Sequence, residues 1–157
     1  MEGLIPLLER IELFQGMPHR HLQTLADCAS DVRVEAGEFV SHSGDEADAF
    51  WLIRDGRLVL GIFLPGRGEV TLATMAVGDV VGFSWLLPPH RMHFDIVAAT
   101  AAELVRFDGR VLRQRCHENA EFGFQLMSRF AGIVVDRVET MSMQLLDIYG
   151  HHPIESE

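Results

Sequence analysis

Between Asp31 and Asp108 the chain is interrupted at near-regular intervals by glycine, at Gly37, Gly44, Gly56, Gly66, Gly68, Gly78 and Gly82, and the stretches between are short and rich in Val, Ile, Leu and Phe. Segments of this kind, bounded by residues that accept the backbone angles of tight turns, form antiparallel strands that double back on one another. The pattern predicts a sandwich or barrel. Its clearest local unit is a hairpin of Leu58–Leu64 with Glu69–Met75, joined through Pro65, Gly66, Arg67 and Gly68.

On either side the period changes. Leu4, Leu7, Leu8 and Ile11, then Leu22, Leu25, Ala26 and Ala29, recur at helical spacing. Residues 1–30 therefore read as a helical prelude, 31–108 as the strand zone, and 109–157 as helical again. The chain reads as one domain of α+β class, because 157 residues suffice for a single core and 48% hydrophobic content marks a folded chain.

The last helix carries a finer pattern. Met127, Ala131, Val134, Val138, Met141, Leu145 and Ile148 are separated by 4, 3, 4, 3, 4 and 3 residues, which is a heptad seam. A second stripe, Phe122, Leu126, Phe130 and Ile133, would face the strands. The seam then needs a partner helix, and Val134, Val138, Met141 and Leu145 predict a homodimer.

Charge and composition remove several function classes. Against 23 acidic residues stand 13 basic ones, all arginine, for a net charge of -10 that repels a phosphate backbone. Nucleic acid is not an expected partner, and the seven residues His151–Glu157 that follow Gly150 are too few for a helix-turn-helix. No apolar run approaches the roughly 20 residues of a membrane span, and the acidic start lacks the basic region of a signal peptide. The expected location is cytoplasmic. Cys28 and Cys116 are too few for a disulfide scaffold or a thiolate cluster and read as buried or semi-buried thiols.

The segment Gly78–Ala99, GDVVGFSWLLPPHRMHFDIVAA, carries the binding chemistry. A strand-like run Asp79–Val81 meets Gly82, then a short turn of helix Phe83–Leu87 with Ser84 as its N-cap, a Pro88-Pro89 stop, and a strand Phe94–Ala99. A glycine leading into a helix start points backbone N–H groups into a hollow that favours an anion. The candidate pocket residues are Gly82, Phe83, Ser84, Trp85, Arg91, His93 and Phe94. The aromatic members, Phe83, Trp85 and Phe94, favour a small apolar effector. His90, His93 and Asp95 lie within six residues and carry donor types that suit a transition metal, the chemistry of a cupin-like protein. The only H-x-H string, His19-Arg20-His21, falls in the prelude, so no metal set is assigned. No nucleophile, base and orienter stand together, and the chain does not read as an enzyme.

Taken together, LF.GM at Leu13–Met17, AGEFV at Ala36–Val40, SGDEADAFWLIRDGRLVL at Ser43–Leu60, the Gly78–Ala99 segment and the long last helix resemble the cyclic-nucleotide-binding domain of the catabolite activator and FNR superfamily. The resemblance implies an antiparallel jelly-roll β-barrel with N-terminal helices and a long C-terminal helix, with turns at Gly44-Asp45 and Asp55-Gly56. It further implies a stand-alone regulatory sensor of a small molecule, acting on a partner protein, or the sensory part of a transcription regulator without its DNA-binding domain.

Two departures change the implied chemistry. Cyclic-nucleotide binders of that family place Glu where this chain has Phe83, to accept the ribose hydroxyl, and Arg where it has His93, to fork onto the phosphate. Phe83 accepts no hydrogen bond, and an imidazole is largely neutral near pH 7. Hydrogen bonds to charged groups contribute roughly 1.5–3 kcal/mol each, so two lost cost about 3–6 kcal/mol, about a hundred- to ten-thousand-fold in affinity. Arg91 is the nearest substitute, on a loop stiffened by two prolines. Ordinary cyclic AMP or cyclic GMP affinity is not expected, and the effector is nucleotide-like or small and apolar.

Overall fold

The computed structural model describes residues 3–150. Helices α1 (Leu4–Glu9) and α2 (His19–Asp27), with a 3-10 turn at Glu12–Phe14 between them, precede eight strands: β1 (Ala29–Val34), β2 (Phe39–Ser41), β3 (Ala49–Asp55), β4 (Leu58–Leu64), β5 (Gly68–Met75), β6 (Val80–Val81), β7 (Asp95–Ala98) and β8 (Ala102–Asp108). Helices α3 (Gly109–Glu118) and α4 (Ala120–Gly150) follow. The strands form two four-stranded sheets, ordered β1-β8-β3-β6 and β2-β7-β4-β5, with every pairing antiparallel. This is a jelly-roll sandwich. The first strand opens at Ala29, two residues earlier than the glycine pattern suggested, and the hairpin turn is Pro65-Gly66-Arg67, with Gly68 already paired to Leu64.

The turn at Gly56 shows why glycine is required there. Its φ is +88°, and a Cβ would stand 2.4 Å from the Ala101 carbonyl oxygen, so both the backbone angle and the space exclude a side chain.

The first five residues of β3 are buried without alternation, because one face looks into the roll and the other is covered by helices. On the helical side Phe50 stacks on Phe107 at 4.5 Å and on Trp85 at 5.2 Å, and meets the edge of Phe130 at 5.0 Å. Asp108 caps α3, its carboxylate accepting the Arg110 and Val111 N–H groups at 3.0 and 3.2 Å. Asn119 ends α3, and its side-chain oxygen receives the Phe122 N–H at 3.1 Å, which starts α4. Along α4 the stripe Phe122, Leu126 and Phe130 is buried and Ile133 half-buried, as the spacing suggested. Arg129 ties α4 to the prelude by donating to the Leu13 and Gln15 carbonyls at 3.0 and 2.6 Å. Cys28 and Cys116 are half-buried free thiols, and burial pushes both above the usual thiol range.

His21 sits at the α2–α4 contact, 1% exposed, its ring 5.4 Å from that of Phe122, and neither ring nitrogen has a partner among the described residues. Burial lowers its pKa, the Arg20 charge adds to that, and Glu121 opposes it. The fold therefore prefers the neutral ring while the unfolded chain takes up a proton near pH 6.5. Stability is kept above that pH and lost as pH falls below it, at up to about 1.4 kcal/mol per pH unit. Urea unfolding at pH 7.5 and 5.5 should show that loss in the native sequence and its removal in His21→Phe. An equal acid-side loss in both would assign it to other groups.

Candidate functional site

The segment after β5 is fastened to β3 before it does anything else. The Gly78 N–H donates to the Ile53 carbonyl at 2.9 Å, the Ile53 N–H to the Asp79 carbonyl at 3.1 Å, and β6 pairs with Trp51 and Leu52. Gly82 then turns the chain at a φ of +93°, where a Cβ would lie 3.2 Å from the Trp51 ring. The short helix expected over Phe83–Leu87 does not form. A single bond, Leu86 N–H to the Phe83 carbonyl at 3.3 Å, closes one turn, and Ser84 caps no helix. The reason lies in the prolines: Pro88 and Pro89 have no N–H to give the Ser84 and Trp85 carbonyls, so a second turn has no donors. Arg113 of α3 supplies what is missing, donating to the Trp85 carbonyl at 2.6 Å.

The aromatic residues of this segment converge on α4. Trp85 is fully buried, its ring 5.4 Å from Phe130, and its indole nitrogen lacks a partner among the described residues. Half-buried Phe83 meets Phe130 edge-on at 5.8 Å, and the guanidinium of Arg137 lies 4.6 Å above its ring. Arg137 also donates to the Val80 carbonyl at 3.2 Å and lies 3.9 Å from the Met75 sulfur. Burial draws its pKa down, against the Asp79 charge, which raises it. Phe83, Trp85 and α4 therefore form one packed joint.

The other candidates fall elsewhere. His93 is exposed with its ring 6.5 Å from that of Phe94, itself 38% exposed, and no hydrogen bond or ring contact joins this pair to Phe83 or Trp85. Arg91 turns to the β2–β3 loop, where it bridges Glu46 through the backbone and reaches the Gly44 carbonyl at 3.5 Å. The strand expected from Phe94 to Ala99 is the shorter β7. Asp95 is buried and accepts the Ser43 N–H at 2.7 Å. It lies beside Glu69, whose pKa rises through desolvation first and then through the charge and hydrogen bond of Asp95. The carboxylate of Asp95 is thus occupied, and among the described residues no group of three or more His, Cys, Asp and Glu is placed to hold a metal.

The inner wall of the roll is apolar. Leu58, Leu60 and Ile62 face Met75, Ala73 and Val70 across the β4–β5 ladder, buried at the Leu58 end and half-open at the Ile62 end. Two functional-looking residues were missed in the sequence, Arg137 and Arg113. Arg137 had a signal, since it lies four residues beyond Ile133 on the strand-facing stripe, where a charge breaks the apolar run.

Comparison with known proteins agrees with this architecture. Residues 31–119 match the family described as the cyclic nucleotide-binding domain. Two curated relatives are a lysophospholipase, nte1, of Neosartorya fischeri, 26% identical over 108 residues, and the cAMP-dependent protein kinase regulatory subunit of Schizosaccharomyces pombe, 29% identical over 102 residues. The aligned regions cover 69% and 65% of this chain but only 7% and 24% of those proteins. Among solved structures, a cyclic nucleotide-binding domain from Methylobacillus flagellatus is 16% identical with a TM-score of 0.75, over 98% of this chain and 84% of that one.

Proposed function

The chain belongs to the cyclic nucleotide-binding domain family, and on that premise we propose that it is a regulatory module that senses a small effector beneath Gly82–Phe94 and signals through α4 of a homodimer. The observation that carries this reading is Arg137. It reaches from α4 onto the Phe83 ring and the Val80 carbonyl, so a ligand that displaces Phe83 must also act on the helix. Coupling of this kind needs a direct contact between the sensing segment and the output element, and here both sides of it are named.

We read the effector's chemistry from the residue types of that segment and of the β4–β5 ladder. Phe83 and the Leu60–Ile62 wall offer apolar surface, while His93 offers a single imidazole in place of a guanidinium fork. A nucleotide-like or small apolar molecule fits that combination better than cyclic AMP or cyclic GMP. The role we propose is regulation of a partner protein rather than catalysis. No helix among the described residues is long and apolar enough to cross a membrane.

The output face is the seam. Val134, Val138, Met141 and Leu145 are 42, 57, 62 and 53% exposed in the single chain, and burying the remaining half of each across a two-fold axis is worth about 0.8–1.5 kcal/mol. Light scattering should give twice the chain mass for the native sequence and the chain mass for Val138→Glu with Leu145→Glu. A dimer that survives both substitutions would overturn the seam as the interface.

A further inference from the structure

A cavity of about 230 Å³ lies between the β2–β3 loop, the exit of the Pro88-Pro89 loop and the first turns of α3. Pro89, His90 and Arg91 of the Gly82–Phe94 segment line it, but Phe83, His93 and Phe94 do not, so the inference does not depend on the effector reading above. Its polar lining is Glu46, Asp48, His90, Arg91, Arg110 and Arg113.

The charges there invert those of the chain. Three guanidiniums face two carboxylates, and Asp48 is shared with a fourth arginine, Arg106, whose guanidinium lies 3.5 Å away. The surroundings are thus net positive on a chain of net charge -10. The arginines are not equally committed. Arg113 is fixed on the Ala47 and Trp85 carbonyls at 3.2 and 2.6 Å, whereas Arg110 is exposed and pairs with Glu46 and, at 4.0 Å, with Asp48, and the guanidinium of exposed Arg91 has, among the described residues, the long 3.5 Å bond to Gly44 as its one hydrogen bond. Two guanidiniums therefore keep donors for an incoming group. His90 on the same wall holds a φ of +54°, uncommon outside glycine, with its carbonyl tied to the Ala47 N–H at 2.7 Å. The wall is built rather than loose, and the volume lies below the roughly 300–1,000 Å³ of pockets for drug-sized molecules.

We propose that this cavity binds a small phosphate-bearing anion through Arg91 and Arg110, with Glu46 as the internal carboxylate that the anion displaces from Arg110. Because Arg113 on the cavity wall donates to the Trp85 carbonyl, the anion site is joined to the Gly82–Phe94 segment.

The test is a titration at constant ionic strength with inorganic phosphate, pyrophosphate and glycerol phosphate, with chloride as control, followed by amide chemical shifts. Saturable shifts are expected at residues 46–48, 90–91 and 110–113, and the preferred probe separates free phosphate from a phosphomonoester. Arg91→Gln should weaken binding about tenfold or more. Glu46→Gln should tighten it, because Arg110 then keeps only the longer 4.0 Å pairing with Asp48, and a gain of affinity cannot come from misfolding. Shifts that never saturate, affinities equal in the two variants, or shifts centred on His93 would overturn the assignment.

Discussion

Phe130→Ala should lower the stability of the domain by about 3–5 kcal/mol, the range for emptying a buried phenylalanine site. The ring is fully buried and meets Phe50, Trp85 and Phe83 at 5.0, 5.4 and 5.8 Å, so its removal opens a cavity at the one place where β3, the Gly82–Phe94 segment and α4 come together. The surrounding rings are held by separate elements and cannot collapse into the gap together. Phe63→Ala is the matched control, since Phe63 is 61% exposed on the outer hairpin and should change stability by no more than about 0.5 kcal/mol. Urea unfolding of the two variants reads the difference. A cost below about 1 kcal/mol for Phe130→Ala would mean that the joint is loosely packed and transmits nothing.

Phe83→Glu with His93→Arg should raise cyclic AMP affinity by about a hundred-fold or more, since each substitution restores one charge-assisted hydrogen bond worth roughly 1.5–3 kcal/mol. The structure adds a condition to this expectation. Arg137 lies 4.6 Å above the Phe83 ring, so a carboxylate placed there acquires a cation as a competing partner. Adding Arg137→Gln to the pair should therefore give a further gain. Calorimetry on the double and triple variants measures both steps, and a double variant that binds no better than the native chain, with no gain on the third substitution, would mean that the Gly82–Phe94 backbone does not hold the family geometry.

The fold was legible because its signals are local. Glycines at turns that demand positive φ, apolar runs between them and a 3.6-residue stripe at Phe122, Leu126 and Phe130 each follow from backbone sterics and burial, and each lies within a few residues of what it determines. The site was less legible because its contacts are not local. The prolines that were read as ending a helix in fact prevent one, and the orphaned Trp85 carbonyl is met by Arg113, 28 residues away. Arg137 reaches Val80 across 57 residues, a pairing that no spacing rule encodes. Arg91 was placed in the effector pocket because it stands two positions from His93, yet the backbone bridge to Glu46 turns it to the β2–β3 loop. Asp95 looked available beside His93, but Ser43, 52 residues away, occupies it.

This domain keeps the cyclic-nucleotide-binding fold, and we propose that its pocket answers to a different effector. Calorimetric titration of cyclic AMP into the unmodified chain tests it most directly. No saturable heat is expected in the micromolar range; a Kd below about 1 μM, which corresponds to about -8.2 kcal/mol, would contradict the proposal and mean that the backbone amides of the Gly82–Phe94 segment hold the cyclic phosphate without the family's Glu and Arg.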